Sequence, residues 1–223
     1  MRRTPIRTPV TLPDARPVLY PLRPVDSATW TIRELPHGRR RVTIVHAPLP
    51  QVSPADLMWW FTHLEGDMEY AGARVARYLA WHPLDHVRWE LARPAPSGGA
   101  DEGARFRIVE AFGREPAHLI DVVERVERLD STGIRLVQRR CGVRVFQLEH
   151  TWSPGVEGTH YVSIMEIGAV HRWMTWPNNY LTRVVMPAER CRAWVRHNVE
   201  EVGQLPHLIP ALRRDSGGPV EQP

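Results

Sequence analysis

The chain has 223 residues, 43% hydrophobic and 24% charged, and its 29 basic side chains, all arginine, stand against 25 acidic ones for a formal charge of +4. That is the balance of one globular domain with enough chain to bury a core, so global disorder, collagen-like repeats and a coiled coil are excluded. Apolar runs of only a few residues fall far short of the roughly 20 that a bilayer-spanning helix needs.

Residues 1–25 hold six prolines and little periodicity, which reads as an extended N-terminal arm. Residues 29–35 and 40–46 have β-branched, period-two character and read as strands. Ser53-Pro54-Ala55-Asp56 supplies an N-cap, a proline at the first helical position and an acid three residues after the cap. Leu57, Met58, Phe61 and Leu64 follow at helical spacing, so a helix is predicted over 54–64. An irregular helical or loop region comes next. Strands are then predicted over 86–91, 105–112, 119–129, 134–140, 143–152 and 159–168, most of them separated by glycine-bearing turns. The chain closes with an amphipathic helix over 187–205, whose apolar arc holds Cys191, Trp194, Val195, Val202 and Leu205. Residues 213–223 read as a disordered tail. This order defines a single α+β domain over 26–212, a curved antiparallel sheet wrapped around a C-terminal helix and enclosing a cavity for a small apolar ligand.

The arginines are interleaved with acids, and the one basic triplet, Arg39, Arg40 and Arg41, has no aromatic stacking motif beside it. Nucleic acid is therefore not an expected partner, and neither is a membrane; a homodimer is left open. The absence of lysine reads as the mark of a GC-rich genome, and it excludes Schiff-base chemistry on a lysine. Cys141 and Cys191 are too few for a disulfide framework and lack metal-type spacing. No apolar region follows the first residues, so a cytoplasmic location is the expectation.

Three features carry candidate chemistry. In Tyr78-Leu79-Ala80-Trp81-His82-Pro83-Leu84-Asp85-His86 the two histidines are four apart, but Pro83 makes a regular helix between them doubtful. One histidine would take a metal with the other, or Asp85, in support; the alternative is a solvated turn. His197 and Glu201, four apart on the last helix, project from nearly one angle at the edge of the apolar arc. They read as metal ligands or as a surface pair. Alternation places Glu110 on the face of Phe106 and Ile108, as an ion-pair partner or a ligand, and His150 on the face of Phe146 and Leu148, as an acid–base group or a core histidine.

Taken in order, Met58-Trp59-Trp60-Phe61, Tyr78, Trp81-His82-Pro83-Leu84-Asp85-His86, Glu149-His150-Thr151-Trp152 and His197 with Glu200-Glu201 resemble the diacetylphloroglucinol hydrolase family, which includes phloretin hydrolase-like enzymes. The resemblance runs from about Met58 to Leu212. It implies a helix-grip fold, as in Bet v 1-like and START-like domains, and a zinc-dependent hydrolase that cleaves a carbon–carbon bond between an acyl group and a phenolic ring. It further implies one Zn2+ held by His86, Glu110, His197 and Glu201, with Glu115 the alternative to Glu110 and with His82 and Asp85 in support. Tyr78 and His150 are implied as catalytic groups, and Trp59, Trp60, Phe61, Tyr78 and Trp194 as the walls for a small aromatic or polyketide-like ketone.

Proton transfer through His150 would bring the phenol to its keto tautomer, and metal-activated water would attack the acyl carbonyl. Without that tautomer an aryl carbanion would have to leave. Val195 stands where the phloroglucinol-specific members would present a polar contact, which points to a less hydroxylated or larger ketone. Two other readings share the cavity: a polyketide cyclase or other non-hydrolytic biosynthetic enzyme, and a non-catalytic binder of a small hydrophobic molecule.

Overall fold

In the computed structural model, which describes residues 12–215, the chain runs β1 (Thr29–Leu35), β2 (Arg39–Val45), α1 (Pro54–Thr62), β3 (Asp67–Tyr70), β4 (Ala73–Ala76), α2 (Arg77–Trp81), β5 (His86–Arg93), β6 (Arg105–Ala111), β7 (Leu119–Asp130), β8 (Gly133–Arg140), β9 (Val143–Ser153), β10 (His160–Ile167), α3 (Thr175–Tyr180) and α4 (Ala188–Asp215). Eight strands form one sheet in the order β1-β2-β10-β9-β8-β7-β6-β5, with every neighbouring pair antiparallel. β3 and β4 make a separate hairpin. The sheet and the 28-residue α4 share two buried clusters. One joins Val202, Leu205, Leu208 and Ile209 of α4 to Trp60, Phe61, Trp81, Trp152 and Tyr161. The other joins Cys191, Trp194, Val195 and Val199 to Val42, Ile44, Phe112 and Met165. The fold is the α+β helix grip.

Helix α1 begins as its sequence dictates. Ser53 accepts from the Asp56 amide while the Asp56 carboxylate accepts from the Ser53 amide, a closed capping box worth about 1 kcal/mol. It ends at Thr62, two residues short of expectation, because the His63 amide bonds back to the Trp60 carbonyl and tightens the last turn. The region between α1 and β5 resolves into the β3–β4 hairpin followed by α2.

The last helix departs most from the sequence reading. It passes through Pro206 and Pro210 instead of stopping at Leu205. Burial of Leu205, Leu208, Ile209 and Leu212 stabilises it by roughly 1.5–3 kcal/mol each, which offsets the roughly 3 kcal/mol that each proline removes. It continues through Arg213 to Asp215; the rest of the expected tail, and residues 1–11 of the arm, lie outside the described residues.

The described part of the arm lies against the domain. The Tyr70 hydroxyl donates to the Pro17 carbonyl at 2.9 Å, Tyr20 stacks on His207, and Arg23 reaches the carbonyls of Ala47 and Pro48 at 3.1 and 3.2 Å. Arg23 crosses α4 at Gly203, where a Cβ would sit 2.5 Å from its side chain. Among the described residues no helix is long and apolar enough to cross a membrane.

Candidate metal centre

Three elements deliver ionisable side chains to one buried point. The α2–β5 turn brings His82, Asp85 and His86; β6 brings Glu110; α4 brings His197 and Glu201. Glu110 is the cross-strand partner of His86, and a bulge after His86 shifts the register of the rest of β5. His197 and Glu201 share a face of α4 one turn apart, as the spacing predicts.

The geometry of the four is specific. His86 Nε2 lies 3.5 Å from Glu110 Oε1 and 3.4 Å from Glu201 Oε2. His197 Nε2 lies 3.5 Å from Glu110 Oε2 and 3.7 Å from Glu201 Oε2. Ligands of a tetrahedral zinc at 2.0–2.1 Å stand about 3.3–3.4 Å from one another, so these separations fit that ion with little adjustment. Ligand atoms of His86, His197 and Glu201 all lie within 4.8 Å of one another, whereas Glu110 offers a different oxygen to each histidine. A second group, His82, Asp85 and His197, meets the same distance test, but its members are engaged in hydrogen bonds.

Hydrogen bonding orients both imidazole rings. His86 Nδ1–H donates to the Tyr78 carbonyl at 2.5 Å, and His197 Nδ1–H donates to Asp85 Oδ2 at 3.0 Å. Each ring therefore turns Nε2 toward the carboxylates, and both Nε2 atoms are buried with no hydrogen-bond partner. Neither makes a hydrogen bond, and each faces the Glu110 and Glu201 carboxylates at ion-pair distance, a donor set of the kind that could hold a metal ion.

The supporting groups are engaged elsewhere. Asp85 also accepts from the amides of Gly113 and Arg114 at 2.9 and 3.2 Å. Burial would raise its pKa, but the His197 bond and the charges of His197 and His82 outweigh this and hold it well below the carboxylate range. His82 accepts from the Asp85 amide at Nδ1 and donates to Glu200 Oε2 from Nε2, both at 3.1 Å, so neither nitrogen is left for a metal. The Tyr78 hydroxyl donates to Glu110 Oε1, and burial followed by the Glu110 charge pushes its pKa well above 10. Burial pushes His86 down to about 3. Burial alone would also lower His197, but Glu110, Glu201 and Asp85 outweigh it and raise it to about 9.

Not every expected residue joins the site. Trp60 and Phe61 are interior, and Phe61 stacks 6.0 Å from His150. Trp59 is not a wall of this interior: it is 38% exposed, stacked on His63 under Arg77, because it points to the opposite side of α1. Trp194 is buried but belongs to the cluster around Val42 and Ile44, apart from the one that holds Trp60, Phe61 and Tyr78. Glu115 is exposed and caps a turn through the Ala117 amide, so Glu110 is the strand carboxylate at this centre.

Two surface cavities of about 360 and 490 Å3, beside Arg139 and Arg144 and beside the 94–96 turn, do not reach the tetrad. The volume between sheet and helix is packed with aromatic side chains.

Three groups went unseen in the sequence. Glu124 of β7 is buried, accepts from Gln138, and has its other oxygen unpartnered; burial raises its pKa to about 7. His46 and Ser163 are buried beside His150. Only strand alternation could have signalled them, and it does not say which inward face is polar.

No family model matches the chain, and no curated protein does. Among solved structures, the chain is similar to Ara h 8.0201, with 10% identity, 78% of this chain and 97% of that one covered, and a TM-score of 0.46. It is similar to KanY, with 10% identity, 76% and 95% coverage and a TM-score of 0.47. It is also similar to CalU16 from Micromonospora echinospora, with 14% identity, 81% and 97% coverage and a TM-score of 0.34. None of the three bears on what this chain binds or does.

Proposed function

We propose that His86, Glu110, His197 and Glu201 hold one zinc ion, and that the protein is a hydrolase of the kind the diacetylphloroglucinol hydrolase resemblance implies. It would cleave the carbon–carbon bond between an acyl group and a phenolic or β-dicarbonyl carbon. The observation that carries this reading is the pair of buried Nε2 atoms that make no hydrogen bond and converge on two carboxylates.

Bound zinc supplies Lewis-acid polarisation of a ketone and a nucleophile at neutral pH. The chain's own residues supply the rest. Asp85 and the Tyr78 carbonyl hold the two imidazoles with Nε2 inward. Trp60, Phe61 and Trp81 cover the site and exclude water. His150 is neutral at physiological pH, since burial lowers it to about 4, so it is able to move a proton between a phenolic oxygen and the ring carbon. That shift matters because a ring carbon leaves as an enolate from the keto form and as a prohibitive carbanion from the aromatic one. The tetrad is almost fully buried, so entry of substrate requires the aromatic cover to part.

The test is incubation of the zinc-loaded protein with a panel of acylphenols and β-diketones. Release of the carboxylic acid, lost in Glu201→Gln, is the expected result. A ring-closed product would turn the reading to a cyclase, and tight binding without any product would turn it to a binder.

A further inference from the structure

Helix α3 is the middle of one helical run over 172–185, which opens as a 3-10 turn and closes in a wider π turn. Met174, Asn178 and Thr182, four apart, form its buried side. Asn178 pins the run: its Nδ2 donates to the carbonyls of His37 and Ala169, and its Oδ1 accepts from the Ala169 amide, all at 2.8 Å. The Thr182 hydroxyl reaches the Gly38 carbonyl at 3.2 Å. What the run shows to solvent is therefore a fixed face.

That face is aromatic. Trp173, Trp176, Tyr180 and Val184 follow at spacings of three, four and four, which gathers them on one side of the helix. Trp173 and Trp176 are 66% and 80% exposed, and Tyr180 and Val184 also stand mostly clear of the protein. An aromatic side chain carries roughly 150–250 Å2, so this stripe exceeds the scattered apolar exposure of an ordinary surface and marks a place of contact.

Its charge has one sign. Arg172 and Arg183 are exposed on the run, and no acid occurs between Glu166 and Glu189. His171, stacked on Trp173, lines the 360 Å3 surface cavity together with Arg39, Arg139 and Arg144. The acids of that cavity, Glu127 and Glu166, are each paired with two or more arginines. Glu34 is held by Arg40, whose guanidinium reaches the Thr182 carbonyl. A second copy would fit this face badly, because a twofold axis across the stripe sets arginine against arginine with no acid between them. Anionic lipid has the opposite sign, and indole and phenol rings settle at the headgroup level of a bilayer.

We infer that the face of Trp173, Trp176, Tyr180 and Val184, flanked by Arg172 and Arg183, docks on an anionic phospholipid bilayer. The rings enter the headgroup layer while the arginines meet lipid phosphates. Such a helix lies in the interface and spans nothing, so it needs no long apolar run. Neither the metal nor the hydrolase reading bears on this contact.

Flotation of the whole chain with vesicles tests it. Vesicles of equal parts phosphatidylserine and phosphatidylcholine should carry the wild type at low salt, and phosphatidylcholine alone should carry far less. Trp173→Ala with Trp176→Ala should weaken binding to the anionic vesicles by more than about tenfold. Arg172→Gln with Arg183→Gln should weaken it by about thirtyfold. All four side chains are exposed, so the circular dichroism spectrum should not change. No flotation with the anionic vesicles, equal flotation with phosphatidylcholine alone, or flotation that either pair of substitutions leaves unchanged would overturn the inference. A dimer in sedimentation velocity that the tryptophan pair dissolves would overturn it as well, and would give the face to a second copy.

Discussion

Tyr78 and His86 are joined twice: their rings stack at 3.9 Å and 5° from parallel, and the His86 Nδ1–H donates to the Tyr78 carbonyl. The phenol hydroxyl then reaches Glu110. One residue of α2 therefore orients two members of the tetrad that belong to different strands.

Tyr78→Phe keeps the stack and the carbonyl but removes the bond to Glu110. Zinc affinity should fall by about tenfold, with the ion still bound. Competition against a chromogenic chelator measures this, and an unchanged affinity would show that the hydroxyl does not orient Glu110.

Asp85→Asn exchanges a carboxylate that accepts from His197 and from two backbone amides for a weaker acceptor with its own N–H groups. A drop of 10–100-fold in zinc affinity is expected, with the circular dichroism spectrum kept. If the affinity holds, the Asp85–His197 bond is a structural one only.

In the metal-free protein His197 keeps a proton up to about pH 9, so at pH 7 zinc must displace it. Titration calorimetry in buffers of different ionisation enthalpy should report a proton released per zinc bound, and affinity should climb with pH until about 9. A heat independent of buffer would contradict a charged His197.

Glu124 gives the stability a pH dependence of known sign. Its folded-state pKa, about 7, exceeds the unfolded value near 4.5, so the neutral form is favoured by folding. Stability from this group is present below pH 4.5 and is lost as pH rises through about 7, on the order of 3 kcal/mol. Glu124→Gln keeps an acceptor for Gln138 and removes that loss. Urea unfolding at pH 5 and pH 8, with and without zinc, should show the variant gaining on the wild type at pH 8; parallel behaviour would refute the raised pKa.

Much of this was legible in the sequence, for reasons that differ by element. The strands announced themselves by alternation, and α1 by its capping box. His197 and Glu201 were readable because four residues on a helix fix a common face. Alternation marked Glu110 and the local cluster marked His82 and His86 as candidates, but their joint role came from the family resemblance, since cross-strand pairing of residues 24 apart leaves no local mark. The same absence hid Glu124, His46 and Ser163. Trp59 lies on the exposed side of α1; aromatic character says a side chain will find cover but not which cover. The length of α4 was misjudged because the prolines read as stops, whereas the buried leucines beyond them decide the matter only once the sheet is in place.

The central claim is that the buried tetrad holds a metal ion, and elemental analysis tests it most directly. Protein purified without chelators should carry about one equivalent of zinc per chain, reduced to a small fraction in His86→Ala combined with His197→Ala. Less than half an equivalent in the wild type, unchanged after reconstitution with zinc, would contradict the account.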